Sequence, residues 1–74
     1  MSAPTLTVEP YVGEVHGYRA IQFRFLVNGV ESEPFSYTIK QDGTHAAACY
    51  LDGWLECAID PEKMEAARRE LRKP

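Results

Sequence analysis

The sequence has little of what catalytic, metal-binding or membrane-spanning proteins usually need. Its 74 residues include two histidines and two cysteines, and they contain no Cys-x2-Cys or His-x3-His pair. Because zinc sites generally use such pairs, we expect no metal. No glycine-rich phosphate-binding fingerprint occurs, and no apolar run approaches the roughly 20 residues that span a bilayer. We therefore expect no cofactor, no membrane association and no enzymatic activity.

The N-terminal residues and the cysteines indicate a reducing compartment. Met1–Thr5 contains neither a basic stretch nor an apolar stretch, so no secretory signal is predicted. Cys49 and Cys57 are then expected to be reduced thiols and not a disulfide. His45 and Cys49 are the only thiol–imidazole pair at helical spacing, and such pairs arise easily by chance on an exposed helix. We predict a cytoplasmic protein without a catalytic site.

The charge is unevenly distributed along the chain. Residues 1–60 carry eight acidic and three basic side chains, a net charge of −5, and residues 61–74 carry three acidic and five basic side chains, a net charge of +2. An acidic body disfavours contact with phosphate backbones and favours encounter with basic protein surfaces. The same balance is also typical of surfaces that serve only solubility.

Residues 60–73 have the pattern of a short capped helix. Asp60 is a favoured N-cap residue, and Pro61 suits the first helical position because its missing N–H leaves no hydrogen bond unmade there. Ile59 and Met64 flank the cap at the spacing of a hydrophobic staple. The sequence therefore predicts a helix that closes the domain.

The first half of the chain has the alternation of β-strands. In Tyr18–Val27 the apolar side chains of alternate residues fall on one face, and Asn28-Gly29 follows as a favoured pair for a two-residue hairpin turn. Thr5–Glu9 also alternates, and Pro10 marks it as an edge strand because proline cannot donate to a ladder. Residues 13–17 are expected to supply the turn between these two strands.

The strand that returns from the Asn-Gly turn has a conflict of register. A two-residue turn would direct Phe35, Tyr37 and Ile39 away from the core. A bulge near Glu33-Pro34, or a longer loop that ends near Ser32, would direct them inwards again. In either case we predict that these three side chains face the core.

Residues 44–59 allow two interpretations. Asp52-Gly53 is a suitable turn for a second hairpin, whereas Thr44 is an acceptable N-cap and the three alanines that follow favour a helix. We prefer the helix because its polar residues fall on one stripe. Trp54 is then predicted to be the main core anchor of this half. The predicted fold is α+β, one domain over residues 1–74: an antiparallel three-stranded β-meander with two C-terminal helices packed on one face (β-β-β-α-α).

Three features give the chain an outline resemblance to a known class of proteins. They are the meander Tyr18–Ile39 with its Asn-Gly turn, the segment His45–Glu56 and the charged end Glu65–Arg72. Together with its size, they make the chain similar in outline to small phage and mobile-element proteins, and among them to the anti-CRISPR inhibitors of type I effector complexes. The resemblance implies a non-enzymatic inhibitor that binds protein subunits of a CRISPR surveillance complex in the cytoplasm of a bacterial host. These inhibitors share no sequence signature, so no functional residue is carried over.

Two charged surfaces are candidates for partner binding. An acidic set suits a basic groove on a protein, and nucleic acid is not expected to bind it. A basic set at the C-terminal end suits an acidic protein patch, or would make the chain a small nucleic-acid-binding or regulatory protein instead. We favour the acidic set. The acidic set is Glu31, Glu33, Asp42, Asp52 and Glu56, and the basic set is Arg68, Arg69 and Arg72.

Overall fold

Two antiparallel sheets and one C-terminal helix make up the fold in a computed structural model, which describes residues 3–74. The elements are β1 (Leu6–Val15), β2 (Tyr18–Val27), β3 (Val30–Glu31), β4 (Ser36–Ile39), β5 (His45–Tyr50), β6 (Gly53–Ala58) and α1 (Pro61–Arg72). The first sheet has the order β1-β2-β3 and the second has the order β4-β5-β6. The α+β class with antiparallel sheets is confirmed. The prediction of three strands and two helices is wrong, because the described residues form six strands and one helix.

Two tight turns shape the first sheet. Each has two residues, and both have positive φ: 52° and 82° at His16-Gly17, and 53° and 80° at Asn28-Gly29. Two-residue turns with positive φ match the right-handed twist of the strands that they join. The predicted hairpin at Asn28-Gly29 is confirmed. The predicted edge position is also confirmed, since β1 lies at the edge of the sheet. The predicted end of the strand is wrong, because β1 continues through Pro10, which pairs with Phe23, as far as Val15, and the turn is His16-Gly17 alone.

The segment 44–59 is a hairpin and not a helix, so this prediction is wrong. Its strands, β5 and β6, pair antiparallel along their whole length. Strand alternation divides the three alanines, since Ala46 and Ala48 are completely buried and Ala47 lies on the opposite face. The two small side chains leave room for the rest of the core to lie close to the sheet. This tertiary packing outweighs the helix propensity of alanine.

The chain leaves the first sheet after β3 and enters the second at β4. The Ser32 N–H still donates to the Phe25 C=O (2.9 Å), and β4 then begins in the other sheet. This change of sheet removes the register conflict. The prediction that Phe35 faces the core is wrong, because Phe35 precedes β4 and is 69% exposed. Tyr37 takes the inner face of the sheet as predicted, opposite the buried Ala48, but it is 54% exposed because β4 is an edge strand. Ile39, further along β4, is half-buried and packs against the core.

The core combines side chains from both sheets and from α1. Its largest buried side chain is Phe25, which is 6% exposed. Trp54 is 57% exposed, so the prediction that it anchors the core is wrong. The reason is alternation along β6, where Leu55 and Cys57 take the inner face and Trp54 the outer face. The buried cluster consists of Leu6, Val8, Phe25, Ala46, Ala48, Ile59 and Met64.

Helix α1 begins where its sequence predicts. The Asp60 carboxylate accepts a hydrogen bond from the Glu62 N–H (2.9 Å), and Pro61 is the first helical residue. Ile59 and Met64, which lie on either side of the cap, are both buried in the core. The predicted cap is therefore confirmed, and it directs the helix onto the sheets.

Arg19 joins the far end of α1 to the long β1–β2 hairpin. Its guanidinium donates to the backbone C=O of Glu70 (2.6 Å) and of Lys73. The last carbonyls of a helix lack partners within the helix, and a cation at this end also interacts favourably with the helix dipole. Near the other end of α1, the Lys63 ammonium lies 3.9 Å from the Glu9 carboxylate of β1, so the hairpin contacts both ends of the helix.

Candidate functional site: a groove between two strand edges

A groove lined by aromatic, aliphatic and charged side chains runs between β2 of the first sheet and β4 of the second. It consists of two adjoining depressions of about 380 and 470 Å³, which share Tyr11, Phe23 and Tyr37 in their walls. Ile21 and Ile39 extend the apolar wall of the second depression. These five residues define what we name the β2–β4 groove. None of them is fully buried, so the groove offers apolar surface to a ligand.

One side of the groove is the open edge of β2. The five successive residues Ile21–Phe25 line the depressions. Because successive strand side chains point to opposite faces, β2 borders the groove with its edge and not with one face. The Phe25 C=O is bonded to Ser32 on this side, and alternate residues of an antiparallel strand direct their backbone groups the same way. The N–H and C=O groups of Ile21 and Phe23 therefore point into the groove.

The other side of the groove is the edge of β4. The Lys40 N–H donates to the His45 C=O (3.0 Å) next to β4, so alternation places the backbone groups of Tyr37 and Ile39 on the side away from β5. The centre of the Tyr37 ring lies 4.7 Å from that of Phe25, with the ring planes at 48°. This aromatic contact links the two walls of the groove.

Three charged side chains lie at the end of the groove that is nearest to β3. The Arg24 guanidinium lies 3.6 Å from the Glu31 carboxylate and 5.3 Å from the centre of the Tyr11 ring, which is a cation–π distance. Among residues 3–74, Glu33 forms no ion pair. This end of the groove therefore carries one uncompensated negative charge.

The structure divides the predicted acidic set. Glu31 and Glu33 line the groove, and Asp42 lines a further depression that adjoins the opposite end of the groove. Asp52 lies in the β5–β6 turn, and Glu56 lies on the outer face of the second sheet, 3.9 Å from His45. The five residues therefore do not form one continuous patch.

Asp42 organises the turn between β4 and β5. Its carboxylate accepts hydrogen bonds from the hydroxyl (2.7 Å) and the N–H (3.0 Å) of Thr44. These hydrogen bonds, the one from the hydroxyl above all, hold the pKa of Asp42 below its usual value. The Asp42 C=O also accepts a hydrogen bond from the Arg68 guanidinium, so this turn is tied to α1.

The predicted basic set is engaged with neighbouring groups. Arg68 donates to the Asp42 C=O and lies 3.9 Å from the Glu65 carboxylate. Arg69 and Arg72 lie 3.9 and 3.2 Å from the same carboxylate. One glutamate thus contacts all three arginines, as on an ordinary solvated helix face. This mixed surface is less suited to a phosphate backbone than an unopposed basic cluster would be.

The outer face of the second sheet is another exposed apolar surface. Trp54 lies there opposite Cys49, and Leu51, in the adjoining β5–β6 turn, is almost completely exposed. Sequence reasoning missed this face because it assigned Trp54 to the core. The turn signal Asp52-Gly53, taken with the alternation after it, was the available indication of the hairpin.

The aromatic residues of the groove were also missed. The strand register predicts that Tyr37 faces inwards, which it does, but β4 is an edge strand beside β2, so the ring stays exposed in the groove. No local pattern indicates that the chain changes sheets after β3, and this change is what opens the groove. Only Glu31 and Glu33 of the predicted set mark its position in advance.

Other chemistry has little support in the described part of the chain. No group of three or more His, Cys, Asp or Glu side chains there is arranged to hold a metal ion. Cys49 and Cys57 are free thiols on opposite faces of the second sheet, and burial raises the pKa of Cys57. His45 and Cys49 share a face of β5, yet they are four positions apart along the strand, which places their Cα atoms about 13 Å apart.

The described helix also gives no sign of a membrane span. Over residues 3–74, no helix combines the length and the apolar character that crossing a lipid bilayer requires. A helix needs roughly 20 predominantly apolar residues for this, whereas α1 has 12 residues and several charges.

Comparison with known proteins identifies no relative. No protein-family model matches the chain, and neither curated proteins nor solved structures give a match. The function is therefore inferred from the groove and the surfaces of the molecule itself.

Proposed function

We propose that this chain is a non-enzymatic protein-binding protein and that the β2–β4 groove is its binding surface. The observation that carries the proposal is a groove with aromatic and aliphatic walls and a charged end, bordered by two strand edges, each with backbone groups directed into it. Aromatic side chains are enriched where proteins bind one another, and Tyr11 and Tyr37 stay exposed beside the half-buried Phe23. The negative charge at one end adds selectivity for a basic partner segment.

The partner that we propose is a protein subunit of a type I CRISPR surveillance complex in a bacterial host. The outline resemblance to anti-CRISPR inhibitors supports this choice, and the net charge of −5 over residues 1–60 supports a basic target surface. The chain would inhibit the complex by occupying that surface, without catalysis. Nucleic-acid binding through α1 has less support, because Glu65 contacts each arginine of the basic set.

A binding assay and an infection assay together test this function. The purified chain is mixed with a purified type I surveillance complex, and it is also expressed in a strain whose type I system restricts a phage. We expect co-elution in gel filtration and restored plaque formation. If the chain neither co-elutes with the complex nor restores plaques, the anti-CRISPR assignment is wrong.

Two matched variants test whether the groove is the binding surface. Tyr37 and Trp54 are similarly exposed, 54% and 57%, on the groove side and on the outer face of the same sheet. We expect Tyr37→Lys to lower partner affinity at least tenfold and Trp54→Lys to leave it unchanged. Calorimetric titration measures both, and thermal melts show that each variant is folded. The reverse order of effects would place binding on the outer face.

A gel-shift experiment tests the alternative function. Short DNA and RNA are incubated with the chain at about 50 mM salt, where phosphate contacts are strongest. We expect no retardation. Retardation that Arg69→Glu abolishes would instead support nucleic-acid binding through α1.

A further inference from the structure

We propose that the β2–β4 groove binds an extended segment of the partner protein as an additional β-strand on the open edge of β2, with a basic side chain of that segment beside Glu33. This inference rests on the proposed function and specifies how the same site recognises its partner. Addition of a strand to an exposed sheet edge is a recurring mode of peptide recognition.

The unequal lengths of neighbouring strands create the open edge. β2 has 10 residues, and β3, which has two, pairs only with Leu26 and Val27. The backbone groups of Ile21 and Phe23 point to the same side as β3 but lie beyond its end. An antiparallel segment that continues the direction of β3 would meet these groups and bond to them.

The two edges of the first sheet differ in how well they are protected against pairing with another strand. β1, at one edge, contains Pro10 and packs against α1, and proline and a covering element are common ways to prevent unwanted strand pairing. The open part of β2, from Tyr18 to Phe25, contains no proline, and its two charged residues are already engaged, Arg19 with the carbonyls at the end of α1 and Arg24 with Glu31. The chain therefore protects one edge of the sheet against pairing and leaves the groove edge available.

The walls of the groove determine the side chains that an added strand would carry. Side chains on its inner face would meet Phe23, Tyr37 and Ile39, which are apolar or aromatic. Side chains on its outer face would meet Tyr11 and Arg24, which lie on the other face of the first sheet. The partner segment is thus expected to alternate between apolar and polar residues.

The charges fix the position of a basic residue in the segment. Arg24 and Glu31 compensate each other at 3.6 Å, which leaves Glu33 to attract a cation. Glu33 lies at the end of the groove near β3, so an antiparallel segment enters there with its N-terminal end. A lysine or arginine near the N-terminal end of the segment would lie beside Glu33. Because strands of this chain form both walls, the groove suits a single extended chain.

A peptide selection tests the predicted sequence pattern. The probe is a phage-displayed library of random eight-residue peptides, selected on the wild-type chain and counter-selected on Tyr37→Lys. We expect enriched peptides with lysine or arginine near the N-terminal end, followed by apolar residues at alternate positions. Enrichment of peptides without this pattern, or no enrichment, would overturn the proposal.

Hydrogen exchange on the full chain tests strand pairing with the most strongly enriched peptide. We expect the amide protons of Ile21 and Phe23 to exchange at least tenfold more slowly when the peptide is bound. N-methylation at the peptide position that pairs with Phe23 should lower affinity at least tenfold, whereas N-methylation of a terminal peptide residue that lies outside the groove should not. Glu33→Gln should weaken binding severalfold, and Glu56→Gln on the outer face serves as the matched control.

The remaining outcomes separate the binding mode from the proposed function. If the peptide slows exchange elsewhere and N-methylation has no effect, strand addition is wrong, while the effect of Tyr37→Lys on the whole partner still stands. If exchange at Ile21 slows with protein concentration alone and sedimentation shows a dimer, the occupant is a second copy of this chain and the proposal is overturned. If Tyr37→Lys leaves binding of the whole partner intact, the proposed function itself fails.

Discussion

The two faces of the second sheet differ in environment and in the size of the side chains that each buries. On the inner face Ala46 and Ala48 are 0% exposed, and on the outer face Ala47 is half-buried and Trp54 is 57% exposed. The largest apolar side chain of this sheet is therefore outside, and two of its alanines are completely buried inside. The inner face lies against the rest of the core, where small side chains fit and a tryptophan would not. Burial here follows the space between the layers more closely than the hydrophobicity of each residue.

The largest expected difference in stability is between substitution of a buried aromatic residue and substitution of an exposed one. Phe25→Ala removes a buried ring that also contacts Tyr37, and we expect it to lower the free energy of unfolding by about 3–5 kcal/mol. Trp54→Ala removes a mainly exposed ring and should cost less than about 1 kcal/mol. Urea denaturation measures both. A larger loss for Trp54→Ala would show that its face is covered in solution.

A smaller difference in stability is expected when alanines on the two faces of β5 are replaced by leucine. Ala48→Leu adds three carbons to a fully packed site, and overpacking of this kind costs about 1–3 kcal/mol. Ala47→Leu adds the same atoms to the outer face, where we expect a change within about 0.5 kcal/mol. Thermal melts of the two variants distinguish them. Equal melting temperatures would contradict the assignment of β5 to a strand with one buried face.

Charge reversal compares the groove with the rest of the acidic set. Glu31→Lys/Glu33→Lys should weaken binding to the surveillance complex severalfold and reduce its dependence on salt, because both residues line the groove. Asp52→Lys/Glu56→Lys should have little effect, and Arg69→Glu should have none. Titrations at two salt concentrations measure this difference. If both double variants lost a similar amount of affinity, the overall charge of the chain, and not the groove, would attract the partner.

The smallest expected difference is in the rates at which the two thiols, Cys49 and Cys57, react with an alkylating reagent. Burial raises the pKa of Cys57, which lies on the inner face, and a raised pKa lowers the thiolate fraction at a given pH. We expect iodoacetamide at pH 8 to modify Cys49, on the outer face, before Cys57. Peptide mass spectrometry at successive times follows the reaction, with Cys49→Ser as the control. Faster modification of Cys57 would show that the inner face opens readily.

Part of the fold and part of the candidate site were predictable. The Asn28-Gly29 hairpin, the edge strand with Pro10 and the cap at Asp60 are all confirmed. For the site, Glu31 and Glu33 were chosen from their charge alone, and both line the groove. Phe23, Tyr37 and Ile39 were predicted to face the core and Tyr11 was not singled out; that their exposed parts form a groove was missed, since sequence alternation shows that a face is apolar but not which layer covers it.

The sequence by itself determined the features that depend on a few neighbouring residues. Positive φ at an Asn-Gly turn, the missing N–H of Pro10 and the hydrogen bond from Glu62 to Asp60 are decided locally. Only the tertiary structure decided that the alanine run forms a strand, that Trp54 points outwards and that β2 and β4 face each other with open edges. These features depend on contacts between residues far apart in the chain, and the packing free energy of such contacts exceeds the local preference of alanine for a helix.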